Sequence, residues 1–207
     1  MKVAESFGIK INTFTHILEG YKVATKMAKH GAGGGSFSDW WAYKYEVIDA
    51  IPYNGPILSE AGVLVAYNSD NAEMIRRLNQ EAAKAVKYGG LSEEEAWKYV
   101  TLNPAKLLRI DDKVGSIAIG KHADLVIWSH NPLSIYAVAE KTIIEGAIFY
   151  DYSKLDEKIE QNEKEREIII TQLKEAKKGG AKTQPAPVID KRYFECETID
   201  IVNENVQ

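Results

Sequence analysis

One carboxylate lies at a position that is typical of catalytic residues. Asp70 ends the triplet NSD, which directly follows an apolar run at residues 63–67. Because this run is short, contains β-branched residues and follows Gly62, it predicts a strand buried on both faces within a parallel sheet. Chemistry in such sheets lies just beyond the carboxyl ends of the strands. Asp70 is therefore a candidate catalytic residue, although capping of the next helix explains an aspartate here equally well.

A histidine and an aromatic cluster are the other candidates for chemistry. His16 ends a strand-like segment at residues 8–16, where a lone histidine is more often structural than functional. The aromatic cluster follows a glycine-rich segment at residues 31–38 and consists of Trp40, Trp41, Tyr43 and Tyr45. Such side chains are suited either to the wall of a substrate pocket or to covering one end of a barrel. Both interpretations stay open at this point.

Strand and helix patterns alternate along residues 8–88 and place the candidates at strand ends. Predicted strands at 32–37 and 63–67 follow the strand at 8–16, and each is succeeded by a helical pattern. The glycines at 32–37 fit a loop as well as a strand, and they suggest close approach of a ligand or a neighbouring strand. This alternation is typical of a (β/α) barrel or a doubly wound sheet. Beyond the third strand, we predict a long helix at 72–88 and another whose capping box begins at Ser92.

The pattern changes after a short predicted helix that contains Pro104. From residue 114 onward, two segments rich in β-forming residues predict a small separate sheet. A charged, mostly solvated helix is predicted after it. We therefore divide the chain into a barrel portion at 1–110, a small β-rich domain at 111–151, a charged helix at 152–178, and a linker and tail at 179–207.

Composition and charge exclude several classes of function. The 207 residues are 45% hydrophobic and 27% charged, which is typical of a globular protein. A formal net charge of −4 gives no reason to expect nucleic acid as a partner. The single cysteine, Cys196, excludes an internal disulfide and a zinc site built from cysteines. No apolar run approaches the roughly 18–20 residues that span a membrane. The first residues lack the apolar core of a signal peptide, so a cytoplasmic location is the default expectation.

Two blocks of the sequence make a family resemblance visible. TLNPAKLLRIDDKVGSIAIGKHADLVIW at 101–128 resembles the C-terminal signature of the metal-dependent amidohydrolase superfamily. The block at 15–54, which begins THILEGYKVATKMAKHG, looks like the imidazolonepropionase-like and prolidase-like branch. The resemblance covers about residues 1–151 and only the C-terminal half of the family's fold. It implies strands six to eight of a (β/α)8 TIM-type barrel, followed by part of a small β-sandwich domain.

The resemblance also implies roles for the candidate residues. His16 matches the metal-binding histidine of strand six, and Asp70 matches the aspartate of strand eight, which serves as metal ligand and catalytic acid/base. The implied cofactor is a divalent metal, zinc, with one or two ions in the complete enzyme. The implied reaction is hydrolysis of a C–N bond in a small amide, cyclic amide or dipeptide, with water activated by the metal. Trp40, Trp41 and Tyr43 are the expected substrate-binding residues.

The sequence departs from the family in what it lacks. It contains no His-x-His pair, and its four histidines, at 16, 30, 122 and 130, are too far apart to supply one. A catalytic zinc usually needs three protein ligands, and three strands cannot close a barrel. We therefore expect an incomplete C-terminal portion, whose partner is the missing N-terminal half or a further copy of the chain. The alternatives are a degenerate, non-enzymatic fragment or interaction protein, and one half of a split enzyme.

Overall fold

The computed structural model describes residues 1–40, 42, 44–182 and 184. The chain forms two compact units, Met1–Tyr152 and Ser153–Gln207. A short helix, α1 (Lys2–Ser6), opens the first unit. The division of that unit at residue 110, which the change of pattern suggested, stays a prediction.

A parallel sheet forms the centre of the first unit. Its strands are β1 (Thr13–Phe14), β2 (Gly33–Ser36) and β3 (Val65–Tyr67), in the order β1-β2-β3. Two helices, α2 (Ala24–His30) and α3 (Asn54–Glu60), connect the strands in turn. The α/β class predicted from the sequence is therefore confirmed, and the apolar run before Asp70 is a buried strand between helices.

The strands are shorter than the sequence patterns indicated. The segment 8–16 contributes only the two residues of β1 to the sheet. Its two ends have backbone conformations that no strand adopts, because φ is +69° at Gly8 and +55° at His16. The predicted helix that follows also starts late, with a 3-10 turn at Gly20–Val23 before α2. Gly31 ends α2 in the left-handed conformation, which glycine adopts easily.

The glycines of β2 permit close packing of the sheet. All four residues of Gly33–Ser36 are buried. A methyl group at Gly33 would collide with Leu107 Cδ2 and would lie 3.0 Å from the carbonyl oxygen of Leu64. The glycine-rich segment is thus a strand that neighbouring groups approach closely, which its composition predicted.

The chain after β3 differs from the single helix predicted at 72–88. A 3-10 turn at Met74–Arg77 comes first, and α4 (Leu78–Gly89) begins only after it. Asn71 Oδ1 accepts hydrogen bonds from the N–H groups of Glu73 (2.8 Å) and Met74 (3.1 Å). This side-chain turn competes with the helix for the backbone donors, so the predicted start at residue 72 is wrong.

Two more helices follow and agree with the sequence. Ser92 caps α5 (Glu93–Lys98) by accepting a hydrogen bond from the N–H of Glu95. The next helix, α6 (Leu102–Leu108), contains Pro104 near its start. The core between the parallel sheet and these helices consists of Ala24, Met27, Leu58, Val63, Val65, Tyr67, Ala85, Ala96 and Tyr99.

A second, antiparallel sheet ends the first unit. It consists of β4 (Leu125–Trp128), β5 (Ala139–Ile144) and β6 (Ala147–Asp151), paired in that order. Glu145 and Gly146 form the turn between the last two strands with φ of +50° and +83°, which suits a two-residue hairpin. The predicted small sheet is present, and whether it belongs to a sandwich domain stays open.

In the second unit, the described residues form one long helix, α7 (Leu155–Lys178), with no buried residue. Asp156 and Glu157 lie in its first turn and Lys177 and Lys178 in its last, which suits the helix dipole. The charged helix predicted here is confirmed. Most of the predicted linker and tail, namely residue 183 and residues 185–207, lies outside the described residues. Among the helices described, none has the length and apolar character needed to cross a membrane.

Candidate functional site

The parallel sheet brings His16 and Asp70 together at the carboxyl ends of its strands. His16 follows β1 by two residues, and Asp70 follows β3 by three. The distance from His16 Nε2 to Asp70 Oδ2 is 2.6 Å. Their side chains are 51% and 35% exposed, so the pair is open to solvent and to a ligand. This edge is the one at which parallel sheets carry their chemistry.

The backbone at His16 has an unusual conformation. Its φ of +55° lies in the left-handed region, which residues other than glycine seldom adopt. The next residue, Ile17, donates its N–H to the carbonyl oxygen of Gly35 at 3.1 Å, so the bend is held against β2. Strained backbone of this kind costs on the order of 1–3 kcal/mol and is concentrated at functional sites. The conformation places the imidazole toward Asp70.

Aromatic rings stack against one side of His16. The centroids of the His16 and Phe37 rings are 5.6 Å apart with 19° between the planes. Phe37 stacks in turn on Trp40, at 4.6 Å and 20°. Of the three expected substrate-binding residues, Trp40 is half-buried in this stack. Trp41 and Tyr43 lie outside the described residues, and their role stays a prediction.

The two oxygens of Asp70 have different partners. Asn68 Nδ2 donates a hydrogen bond to Asp70 Oδ1 at 3.3 Å, while Oδ2 faces His16. A carboxylate only accepts hydrogen bonds, which fixes the orientation of the Asn68 amide. Asn71, and not Asp70, accepts the N–H groups that begin the following turn. Helix capping therefore does not explain Asp70.

His16 and Asp70 provide part of a metal site. Imidazole nitrogen and carboxylate oxygen are donors that zinc takes in proteins, and a catalytic zinc usually has three such ligands. Among the residues that the structure describes, no group of three His, Cys, Asp or Glu side chains could hold a metal ion. The donor chemistry thus fits two positions of such a site, and these side chains do not complete it.

The other three histidines have structural partners away from the pair. His30 Nε2 accepts a hydrogen bond from the N–H of Ile11 (3.0 Å). The ring hydrogen therefore lies on Nδ1, which donates a hydrogen bond to Glu5 Oε1 at 2.6 Å. That hydrogen bond lowers the pKa of the Glu5 carboxyl. His122 lies 3.9 Å from Glu145, and His130 Nδ1 lies 2.9 Å from Ser129 Oγ.

Sequence reasoning missed a partly buried cluster of polar side chains beside the site. Glu81 and Lys84 extend from α4 to Ser38 and Asp39, which follow β2. Lys84 Nζ lies 2.7 Å from Asp39 Oδ1 and 2.9 Å from Glu81 Oε1. A glutamate and a lysine three positions apart are usual on a solvated helix face, so the sequence carried no signal of their burial.

A separate groove of about 920 Å³ lies among α3, α4, α5 and α6. Tyr53, Ile57, Tyr88, Lys98 and Lys106 are among its lining residues, and neither His16 nor Asp70 belongs to it. Its volume falls within the range of ligand pockets. Its lining residues, among those that the structure describes, include neither a histidine nor an aspartate, the residue types of the strand-edge pair. The strand-edge pair remains the candidate functional site.

Comparison with known proteins places this chain in a family. The model of the amidohydrolase family matches residues 55–183, which is more than half of the chain and includes Asp70. Together with the parallel sheet and the pair at its carboxyl edge, this match shows that the chain belongs to the amidohydrolase family.

Individual relatives give the extent of the similarity. The amidohydrolase tasK of Hapsidospora irregularis is 34% identical over 116 residues, which are 56% of this chain and 12% of that protein. An imidazolonepropionase of Shewanella baltica (strain OS185) is 55% identical over 38 residues, 18% of this chain and 9% of that protein. The solved structure of an amidohydrolase from Thermotoga maritima MSB8 matches with a TM-score of 0.65 and 31% identity, covering 72% of this chain and 39% of that one. The chain thus spans about two-fifths of the solved relative and smaller parts of the others.

Proposed function

We propose that this chain is the C-terminal portion of a metal-dependent hydrolase that cleaves C–N bonds of amides. The observation that carries the proposal is the pairing of His16 Nε2 with Asp70 Oδ2, 2.6 Å apart at the carboxyl edge of a parallel sheet in an amidohydrolase chain. In this interpretation, β1, β2 and β3 correspond to strands six, seven and eight of a (β/α)8 barrel.

The proposed chemistry divides between two side chains. His16 Nε2 and the Asp70 carboxylate would hold a divalent ion, zinc by the nature of the donors. When bound, such an ion lowers the pKa of water and polarises the scissile carbonyl. Asp70 accepts the proton of the attacking water at a carboxylate oxygen and delivers it to the leaving nitrogen. Asn68 holds the other oxygen of Asp70 by its hydrogen bond.

The proposed substrates are small: an amide, a cyclic amide or a dipeptide. The stack of Phe37 and Trp40 supplies a flat apolar wall directly beside His16. A wall of this kind suits a compact, planar amide. It carries no cluster of positive charge that would bind nucleic acid. The similarity to an imidazolonepropionase over 38 residues supports a cyclic amide within this class.

The proposed partner is an N-terminal half that completes the barrel and the ligand set. The chain spans 39% of the solved Thermotoga maritima relative, which leaves room for such a half. Exposed apolar side chains on the antiparallel sheet, including Val126, Ile148 and Phe149, offer a surface for further strands. The half is encoded either in frame before this chain or separately, and a sequence containing His-x-His upstream would identify it.

Replacement of Asp70 tests the function. In the complete enzyme loaded with Zn²⁺, Asp70→Asn should lower kcat by about 10²–10⁴-fold, because the amide cannot accept the proton of the attacking water. Hydrolysis would be measured on a panel of dipeptides and cyclic amides. Asp112→Asn, at an exposed aspartate, is the matched control and should leave the rate unchanged. A fully active Asp70→Asn enzyme would remove Asp70 from the mechanism.

A further inference from the structure

A partly buried cluster of four polar side chains connects α4 to the segment that follows β2. Ser38 donates its hydroxyl to Glu81, and Lys84 forms ion pairs with both Glu81 and Asp39, at 2.9 Å and 2.7 Å. Ser38 Oγ also lies 3.1 Å from Asp39 Oδ1. The cluster therefore ties both residues of the segment to one turn of α4, through two carboxylates and one ammonium group.

Burial and charge pairing hold this connection in place. Glu81 is only 5% exposed, and an ionised carboxylate so deeply buried is tolerated only when it is paired and hydrogen-bonded. Burial alone would lower the pKa of Lys84, but its hydrogen bonds to Asp39 and Glu81 outweigh that effect and raise the pKa. Lys84 therefore keeps its charge at neutral pH, and its removal would leave the buried Glu81 carboxylate without the ammonium group that pairs with it.

The tied segment is the one that carries the aromatic stack. Ser38 and Asp39 lie between Phe37 and Trp40 in the sequence, and the rings of those two neighbours stack on each other. Phe37 also stacks on the imidazole of His16. The orientation of the His16 ring thus depends on the segment 37–40, which α4 holds in place.

We propose that Glu81 and Lys84 are positioning residues, which hold Phe37 and Trp40 against the His16 imidazole. The stacking itself needs neither metal nor substrate. Only the role of this stacking in catalysis rests on the proposed function. Within the proposed function, the two residues set the direction of a metal ligand and the position of the substrate wall, although neither contacts the ligand.

The four histidines of the chain make a direct test practicable. Nuclear magnetic resonance spectra are recorded on the 207-residue chain with ¹³C-labelled histidine and no added metal. The ring of His16 gives one of the four histidine signals, and His16→Gln assigns it. Stacking on Phe37 shifts this signal upfield. Lys84→Met should move it downfield toward its position in the unfolded chain, and should leave the signals of His30, His122 and His130 unchanged. Lys84→Arg, which keeps the charge, should restore it.

Controls separate positioning from general stability. Lys87→Met removes a lysine from the same helix outside the cluster, and should not move the His16 signal. Thermal unfolding, followed by circular dichroism, shows whether each variant is folded. If Lys84→Met does not fold, Ser38→Ala decides the matter, because it removes one hydrogen bond and leaves every charge paired. It should shift the His16 signal in the same direction by a smaller amount.

An unmoved His16 signal in a folded Lys84→Met chain, or in Ser38→Ala where that variant decides, would overturn the proposal. Failure of the proposed function would look different: the complete enzyme would neither retain Zn²⁺ nor hydrolyse amides, while the response of His16 to Lys84→Met would persist. In an active complete enzyme, Lys84→Met should lower kcat/KM by about 10-fold or more, because it displaces both the substrate wall and the imidazole of His16.

Discussion

His16 has three structural features that rarely coincide in a histidine with a purely structural role. Its backbone is left-handed, its ring stacks on Phe37, and its Nε2 faces the carboxylate of Asp70 at 2.6 Å. Each feature restricts the imidazole, and the side chain is nevertheless half exposed. A restricted yet accessible imidazole is suited to binding an ion, because little conformational freedom is lost on coordination.

Replacement of His16 should reduce metal retention as well as rate. In the complete enzyme, His16→Ala should weaken Zn²⁺ binding by more than about 100-fold, since loss of an outer-shell partner alone costs about 10–100-fold. Metal content after dialysis, measured by mass spectrometry, checks this, and His130→Ala at an exposed histidine is the control. Unchanged zinc content in His16→Ala would exclude the residue as a ligand.

Tyr99 should make the free energy of unfolding sensitive to alkaline pH. Burial raises the pKa of Tyr99 to about 12, although its hydrogen bond with Ser59 acts in the opposite direction. Burial also raises the pKa of Tyr67. An unfolded tyrosine ionises near pH 10, so between about pH 10 and 12 the unfolded chain loses protons that the folded chain keeps. Each such hydroxyl should therefore lower the free energy of unfolding by up to about 1.4 kcal/mol per pH unit in this window.

Denaturant titrations at pH 8, 10, 11 and 12 measure this effect. Tyr99→Phe should flatten the decline above pH 10, because the phenylalanine has no proton to lose. Tyr136→Phe, at a tyrosine that is 76% exposed, is the matched control. Equal slopes for the native chain and Tyr99→Phe would contradict the assignment.

At the scale of elements, β2 joins the two strands that carry the site. It pairs with β1 and β3 on either side, and its register places Gly34 opposite both Phe14 and Val65. The glycines allow Leu107 of α6 to pack directly on the strand at Gly33. The spacing between His16 and Asp70, two strands apart, depends on this narrow central strand.

A methyl group on β2 should destabilise the fold to very different extents at two positions of the same strand. Gly33→Ala should destabilise the fold by about 1–3 kcal/mol, because the added Cβ collides with Leu107 and lies 3.0 Å from a backbone oxygen. At Gly35 the nearest atom to an added Cβ is Thr15 Cγ2 at 3.5 Å, an ordinary contact. Gly35→Ala is therefore the matched control and should cost far less. Urea denaturation compares the two, and equal losses would show that the packing at Leu107 is not the cause.

At the scale of the whole molecule, the described residues expose features that a partner would cover. The parallel sheet has three strands, so β1 and β3 are its edges among the described residues, and edge strands favour association. Ile117, Ile119 and Phe149 are exposed apolar side chains in the same unit. These features are consistent with the proposed N-terminal half.

The 207-residue chain by itself should hydrolyse amides slowly or not at all. Two ligands leave a divalent ion mostly solvated, so water at that ion would be less acidic than in a closed site. The measurement compares the Zn²⁺-loaded chain with the complete enzyme on the same panel of dipeptides and cyclic amides. Addition of the N-terminal half, expressed separately, should raise the rate. Robust turnover by the chain alone would show that it is catalytically sufficient.

Local sequence determined the elements that carry the site. The apolar run before Asp70 forms a buried strand, Gly31 ends α2, and Ser92 caps α5. These outcomes follow from interactions within a few residues: side-chain burial in a strand, the left-handed freedom of glycine, and a hydroxyl that accepts a nearby N–H. Parallel topology then followed from the alternation of strands and helices, and it placed His16 and Asp70 at one edge.

Tertiary structure alone decided which long-range partners the side chains have. The bend at His16, where Ile17 donates its N–H to Gly35 of β2, shortened the strand predicted at 8–16. Glu81 and Lys84 have the spacing of a solvated ion pair. Glu81 is nevertheless buried and Lys84 partly buried, because Ser38 and Asp39, more than forty positions away, lie against them. Charge spacing along a helix specifies which residues share a face, but only the packing of that face against another segment removes water from it.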